Sequence, residues 1–449
     1  MNEFHEVYGF LVELENMSSD NGKESILNRA LDNPTFVKTV QYALSQGWTY
    51  NISELELSSS PEVNVTAETV FNFLDYMRER GGATVAEKRR LSDIASYSEE
   101  TFIVVSRIIS KDLRCGIGAK TINNIRPETC FEVPYQRCSS ESKIAKIKYP
   151  ALIEKKADSM FSYSRVAREI GKFLTRGGIY FDVPNKLLID ELRGFCAGDD
   201  LVTVGELQVL SRLNGKVLSR KIGNGILNSI IQGTATQEQI DRVVYDIWDV
   251  IPYENFIQRH YNVNIIHRFQ DVLRRIQFVE GYVIDAIPHK FVSSEKEARE
   301  FYSLMRSKGF EGAILKNFNG YWKVNESTDQ VKLKNRSTAE FIIIDAYYGK
   351  KGKKNAHILG GITVKSSCGG IISNCGGGFS DKERELGVDW WKEQIGKIVS
   401  IEYESVIDDK TARNTKKLYS PGFVEIRHDK NEADTMAYCI EISSVKQPE

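Results

Sequence analysis

The hydrophobic pattern of this chain changes period near residue 150, and that change limits what the chain can fold into. Up to about residue 130 apolar residues recur at helical spacing. The stretches 24–32 and 68–81 carry them three and four residues apart and end at a turn or a glycine. Beyond 150, short apolar runs alternate with polar turns: YPALIE, GGIYFDV, LVTVGELQVL, VVYDIWDVI, YVIDAI and EGAILKN. A length of 449 residues suggests two to four domains, and with this change of texture the chain reads as multidomain α and β.

Three units are expected. Residues 1–132 form a helical unit. Residues 133–337 form an α+β unit with antiparallel sheets, entered through a serine- and lysine-containing linker from Pro134 to Pro150. It is interrupted at 211–243 by a polar, glycine-dotted excursion. From 338 the runs FIIIDAYYG, HILGGITVKS, GGIISNCG and KIVSIEYESVI predict a small β-barrel of the OB type. No repeat or low-complexity tract stands out.

Charge excludes a strongly basic protein: 60 Lys and Arg oppose 61 Asp and Glu, for a net charge of −1. Any polyanion surface must come from local segregation of cations. The seven cysteines include no C-x-x-C pair, which fits reduced thiols and not a structural zinc site. The N-terminus lacks the basic-then-apolar pattern of a signal peptide, and no apolar run reaches membrane-spanning length, so a cytoplasmic location is expected.

The chemistry-bearing residues are individually ordinary. Lys156 follows an apolar strand, and a lysine becomes a nucleophile when burial or nearby cations help it shed its proton. Attack on the α-phosphate of a nucleotide would give a phosphoramidate, with cations and a metal neutralising the phosphates. Lys332 and Lys334 alternate on one strand and share a face. In isolation such a pair is more often just two solvated lysines. Glu206 sits in an apolar run, where a carboxylate needs a partner. Trp248 is either core or a platform for a purine. Arg176 lies beside Gly177 and Gly178, a setting suited to phosphate. Lys111, Arg114 and Lys120 surround Gly116 and Gly118 in a helix–turn–helix stretch. They fit either a solvated helix end or phosphate contacts. Lys350, Lys351, Lys353 and Lys354 crowd one turn.

The order of these clusters resembles the covalent nucleotidyltransferases, and among them the ATP-dependent DNA ligases. Lys156-Ala157-Asp158-Ser159 resembles K-x-D-G, and Thr175-Arg176-Gly177-Gly178 the arginine motif that follows. Gly205-Glu206 resembles D-G-E, Trp248-Asp249 the aromatic–aspartate motif, and Glu311 to Lys316 the E-G-x-x-x-K motif. Lys332-Leu333-Lys334 matches K-x-K, and Arg427-His428-Asp429-Lys430 resembles R-x-D-K. Leu113-Arg114-Cys115-Gly116 resembles the L-R-x-G element of ligase DNA-binding domains, and the excursion around Arg220 to Gly225 is similar to that of T4-type phage ligases. The likeness covers nearly the whole chain.

The resemblance implies a helical DNA-binding domain, an adenylation domain and an OB domain, together encircling nicked duplex DNA as a monomer. It implies that Lys156 takes AMP from ATP, with Glu206 on the ribose, Trp248 on the adenine, and Glu154 and Lys316 among the nucleotide contacts. Lys332 and Lys334 would meet the α-phosphate, and Asp158 and Glu311 would support Mg2+. Arg176 would contact the nick 5′-phosphate, and Arg427 and Lys430 would orient the leaving pyrophosphate. Lys111, Arg114, Lys350 and Lys351 would contact DNA. Three departures stand out: Ser159 replaces the motif glycine, Phe161 replaces a common arginine, and Val204 replaces the aspartate of D-G-E. An RNA ligase or capping guanylyltransferase shares the pocket motifs, though not the helical unit or the R-x-D-K ending. A nick-binding protein with a decayed pocket is a further alternative. An NAD-dependent ligase is disfavoured because no cysteine-rich zinc segment follows.

Overall fold

The computed structural model describes residues 3–80, 83–167, 170–334, 336–349, 357–409, 412 and 415–443. Among the described residues, seven helices, from Glu3–Asn16 to Ala119–Ile125, account for the regular structure up to Ile125. Their caps are written in the sequence. Ser19, Asn33, Thr66, Thr84 and Ser98 each accept a hydrogen bond from a first-turn backbone N–H. Thr84 and Glu87 complete a reciprocal capping box. Phe4, Val7, Leu11 and Leu14 form one buried stripe on the first helix and join a core with Phe36, Phe71, Leu91 and Ile108.

Two sheets follow. A five-stranded sheet runs Gln136–Ser139, Asn325–Lys334, Gly312–Asn317, Ala151–Lys156 and His289–Val292. A six-stranded sheet runs Tyr180–Phe181, Ile170–Thr175, Met160–Ala167, Leu201–Val209, Val243–Pro252 and Ile284–Ala286. Leu201–Val209 is buried at all nine positions, so the polar side chains it carries, Thr203, Glu206 and Gln208, are buried with its apolar ones. The expected linker at 134–150 is a correction: its Gln136–Ser139 segment pairs in parallel with Asn325–Lys334 and adds an edge to the first sheet. The excursion at 211–243 also holds more than its polarity suggests, because Arg220–Ile231 is a helix that buries Gly223, Leu227 and Ile230.

The C-terminal strands form a five-stranded sheet in the order Ile372–Cys375, Leu359–Lys365, Ser337–Tyr348, Ile398–Tyr403, Gly422–Ile426. A hairpin of Ser405–Asp408 with Lys416–Tyr419 stands beside it. Among the described residues these strand pairings do not close into a ring, although Gly377, just past the first strand, bridges Gly422 on the last. No helix among the described residues is long and apolar enough to cross a membrane.

Candidate active site

The two central sheets face each other across a cavity of about 760 Å3. The first sheet sets out its cations by register. Lys156 pairs with Gly312, and Gly312 pairs with Lys334, so the two lysines lie in one row on either side of a glycine. A Cβ on Gly312 would meet the Leu333 carbonyl oxygen at 2.1 Å, so this position admits no side chain. Glu154, Ile314 and Lys332 form the next row. Lys155 turns the other way and bonds Asp246 at 2.7 Å.

Several of the charged groups already have partners. Lys156 Nζ donates to Glu311 Oε2, and Lys334 Nζ donates to Glu404, a residue of the C-terminal region. Asp158 pairs with Arg220 at 2.9 Å. Lys316 Nζ lies 2.5 Å from Glu154 Oε2, with both side chains almost fully buried. The other oxygen, Glu154 Oε1, is buried with no hydrogen-bond partner. Burial pushes the Glu154 carboxyl up to about 7, against the pull of Lys316. Burial also pushes Glu206 up to about 7, while the Ser159 backbone N–H that it accepts pulls it down.

The second sheet supplies an aromatic wall. Trp248 is half-buried at the cavity, with its ring centroid 5.8 Å from that of Phe161. Phe161 also packs edge-on against Tyr135 and Tyr163, both at 4.9 Å. The departure at 161 therefore fills the wall with apolar surface where an arginine would be charged. Val204 is 5 % exposed in an apolar cluster and lines the cavity along with Glu206. Ser159 Oγ lies 3.2 Å from Asn224 Oδ1, so this side chain is anchored to the helix Arg220–Ile231. Asp249 is also on the cavity lining, and its carboxylate accepts from Arg268 Nε at 2.8 Å and Nη2 at 3.0 Å.

The cavity brings together Glu154, Lys156, Asp158, Arg176, Glu206, Trp248, Glu311, Lys316, Lys332 and Lys334. Arg427 and Lys430 are not on its lining. Arg427 is held by Glu340 at 2.6 Å and Asp429 at 2.7 Å, and Lys430 lies 4.0 Å from Glu340. Lys111 turns inward instead of outward. Its Nζ donates to the carbonyls of Tyr42 and Ser45 at 3.0 and 2.9 Å, and burial lowers its pKa to about 8. That geometry makes it a strut within the helical region, which corrects its reading as an exposed phosphate contact. Arg114 is exposed. Lys350 and Lys351 lie outside the described residues. Sequence reasoning missed Glu404, Asn224 and the Arg220–Asp158 pair, all of which are distant in sequence from the residues they meet.

Among the described residues no group of three or more His, Cys, Asp or Glu is arranged to hold a metal. Asp158 and Glu311 are nevertheless oxygen donors on the same cavity. One or two carboxylates complemented by substrate phosphates is the donor set that Mg2+ takes, so the residues fit a cation arriving with its nucleotide.

No family profile matches the chain. Two curated relatives match over nearly its whole length. The DNA ligases of Enterobacteria phages T6 and T4 are each 25% identical over 477 residues, covering 95% of this chain and 96% of their own. A solved structure named Pmar-Lig_PreS3 shares the fold with a TM-score of 0.74 at 21% identity, covering 94% of this chain and 99% of its own. Along nearly its whole length the chain is similar to the DNA ligases of T4-type phages.

Proposed function

We propose that this protein seals 3′-hydroxyl, 5′-phosphate nicks in duplex DNA with ATP, through a lysyl-AMP intermediate on Lys156. The observation that carries the reading is the row Lys156–Gly312–Lys334, which faces Trp248 across one cavity with Glu311 on the Lys156 amine.

The adenine stacks on Trp248. The orphaned Glu154 Oε1 is an acceptor suited to the exocyclic amine of adenine, where guanine would present a carbonyl oxygen. Glu206 accepts from the ribose. Lys332 and Lys334 hold the α-phosphate, and Lys334 exchanges Glu404 for it. Lys156 Nζ gives up a proton, for which Glu311 is the adjacent acceptor, and attacks the α-phosphorus. The N–P bond forms as the bond to pyrophosphate breaks. Arg427 and Lys430 orient that leaving group once the C-terminal region brings them over. A bound Mg2+, supported by Asp158 and Glu311, would neutralise phosphate charge. The nick 5′-phosphate, held by Arg176, then attacks the lysyl-AMP phosphorus and frees Lys156. The 3′-hydroxyl displaces AMP from the resulting anhydride, and the phosphodiester forms.

In this reading residues 1–132 are the DNA-binding domain, 133–337 the adenylation domain and 338–449 an OB domain. The three encircle DNA as a monomer in the host cytoplasm, with Arg114, Lys350 and Lys351 on the backbone. Repair and replication are processes such an enzyme would serve. The test is incubation with α-labelled ATP and magnesium, then a denaturing gel and a chase with nicked DNA. The expected result is a labelled protein band that disappears as DNA is sealed, and that Lys156→Ala lacks. No band from protein free of preloaded AMP, or a band retained by Lys156→Ala, overturns the reading.

A further inference from the structure

The helical region meets the Arg176 turn through bare backbone. Gly47 has φ +78° and Gly178 φ +90°, and the two are packed against each other. A Cβ on Gly47 would lie 2.0 Å from the Gly178 carbonyl oxygen. A Cβ on Gly178 would lie 2.8 Å from Gln46 C and Gly47 N. A side chain is excluded twice at each position, by the left-handed backbone and by the backbone opposite.

Both sides of this contact are braced. Lys111 Nζ holds the Ser45 carbonyl, and the Ser45 hydroxyl accepts from Phe131 N at 3.1 Å. Gln46 N donates to the Phe131 carbonyl at 2.8 Å, and Gln46 Oε1 accepts from Val133 N at 2.8 Å. Across the seam, Gly178 N donates to the Thr175 carbonyl at 3.0 Å, and Ile179 N donates to Thr175 Oγ1 at 3.0 Å, which closes the turn. Arg176 stands exposed at its tip, with its guanidinium 5.7 Å from the Tyr135 ring centroid on the cavity rim. A rigid turn seated on a second rigid body inherits its position from that body.

We propose that the Gly47–Gly178 seat is a positioning device by which the helical region sets Arg176, so that it governs capture of the nick 5′-phosphate and not the loading of Lys156 with AMP. This deepens the reading above and rests on its roles for Lys156 and Arg176. Loading depends on the row Lys156–Gly312–Lys334, on another sheet from the Arg176 turn. A methyl group on Gly47 must displace the turn, whereas that row is built without it.

The test compares full-length wild type, Gly47→Ala, Gln46→Ala, Arg176→Ala and Gly47→Ala/Arg176→Ala in two single-turnover reactions. These are labelling of the protein by ATP, and transfer of AMP from prelabelled protein to nicked DNA. Gly47→Ala is expected to label within about twofold of wild type and to transfer AMP at least tenfold more slowly. Gln46→Ala should show a weaker defect in the same step. The double variant should be no slower than Arg176→Ala, because the seat acts through Arg176. Wild-type transfer by Gly47→Ala overturns the proposal. So does an equal loss of both steps, which marks mere destabilisation, and so do multiplicative effects in the double variant. If Gly47→Ala yields no folded protein, Gln46→Ala decides by the same criterion. Normal transfer by Arg176→Ala, or labelling of Lys156→Ala, would instead sink the underlying reading of the site.

Discussion

Replacing Lys316 by methionine removes one member of the most deeply buried ion pair in the cavity and leaves Glu154 behind. The two side chains are 4% and 2% exposed, so solvent cannot compensate the stranded carboxylate. Breaking a buried pair from one side costs about 3–5 kcal/mol. The carboxyl sits at about 7 in the fold, above its ordinary value of 4.5, even with Lys316 beside it. A raised folded value means that the fold binds the proton more tightly than the open chain does. The contribution is therefore fully present below about 4.5 and is lost as pH rises through about 7. Without Lys316 the folded value climbs further, so stability falls more steeply with pH than in wild type. Lys316→Met should thus lose roughly 3–5 kcal/mol near pH 8 and much less near pH 5, where Glu154 is protonated in both proteins. At about 2–4 °C per kcal/mol, the pH 8 loss is roughly 6–20 °C in Tm. Thermal unfolding followed by tryptophan fluorescence at both pH values reads this directly. Glu154→Gln/Lys316→Met should recover most of the loss. A penalty equal at the two pH values, or below about 1 kcal/mol at pH 8, refutes the reasoning.

Other expectations follow from the same contacts. Glu404→Gln frees Lys334 from its carboxylate, so the ATP concentration for half-maximal labelling should fall about threefold or more, and a rise would contradict the exchange of Glu404 for phosphate. Asp249→Asn strands the Arg268 guanidinium, 1% exposed, and should lower stability by about 3 kcal/mol, measurable by urea denaturation. Ser159→Ala and Asn224→Ala should each slow labelling by roughly threefold to tenfold, with the double variant no slower than either, since they remove one hydrogen bond. Trp248→Ala should raise the ATP requirement more than it lowers the maximal labelling rate, checked by titrating ATP.

The helices were legible because their signals are local. Thr84 three residues before Glu87, and the stripe Phe4–Val7–Leu11–Leu14, each specify a helix within one or two turns. The segment 134–150 was misread because Gln136–Ser139 is polar and short. It is a strand only because Asn325–Lys334 lies beside it, almost two hundred residues on. The helix Arg220–Ile231 was hidden by Gly223 and Gly225, weak helix formers whose cost is offset by packing. In the cavity, the ordered motifs located most of the charged residues, since each motif is a few consecutive positions on one strand.

By itself the sequence determined the division between helical and strand periodicity, the caps, and the order of lysines, carboxylates and tryptophan from Lys156 to Lys334. Each of those depends on neighbours within a few residues. Only the tertiary structure decided which charge meets which. Lys156 and Lys334 share a row because Gly312 lies between their strands, and Glu404 reaches Lys334 from beyond the next strand. Lys111, outwardly a surface cation in sequence, becomes a half-buried strut because two carbonyls from the Tyr42–Ser45 segment converge on it. Sheet register and burial are properties of the assembled chain. They set the pKa of Glu154 and Glu206 and the seat beneath Arg176, and no span of consecutive residues contains them.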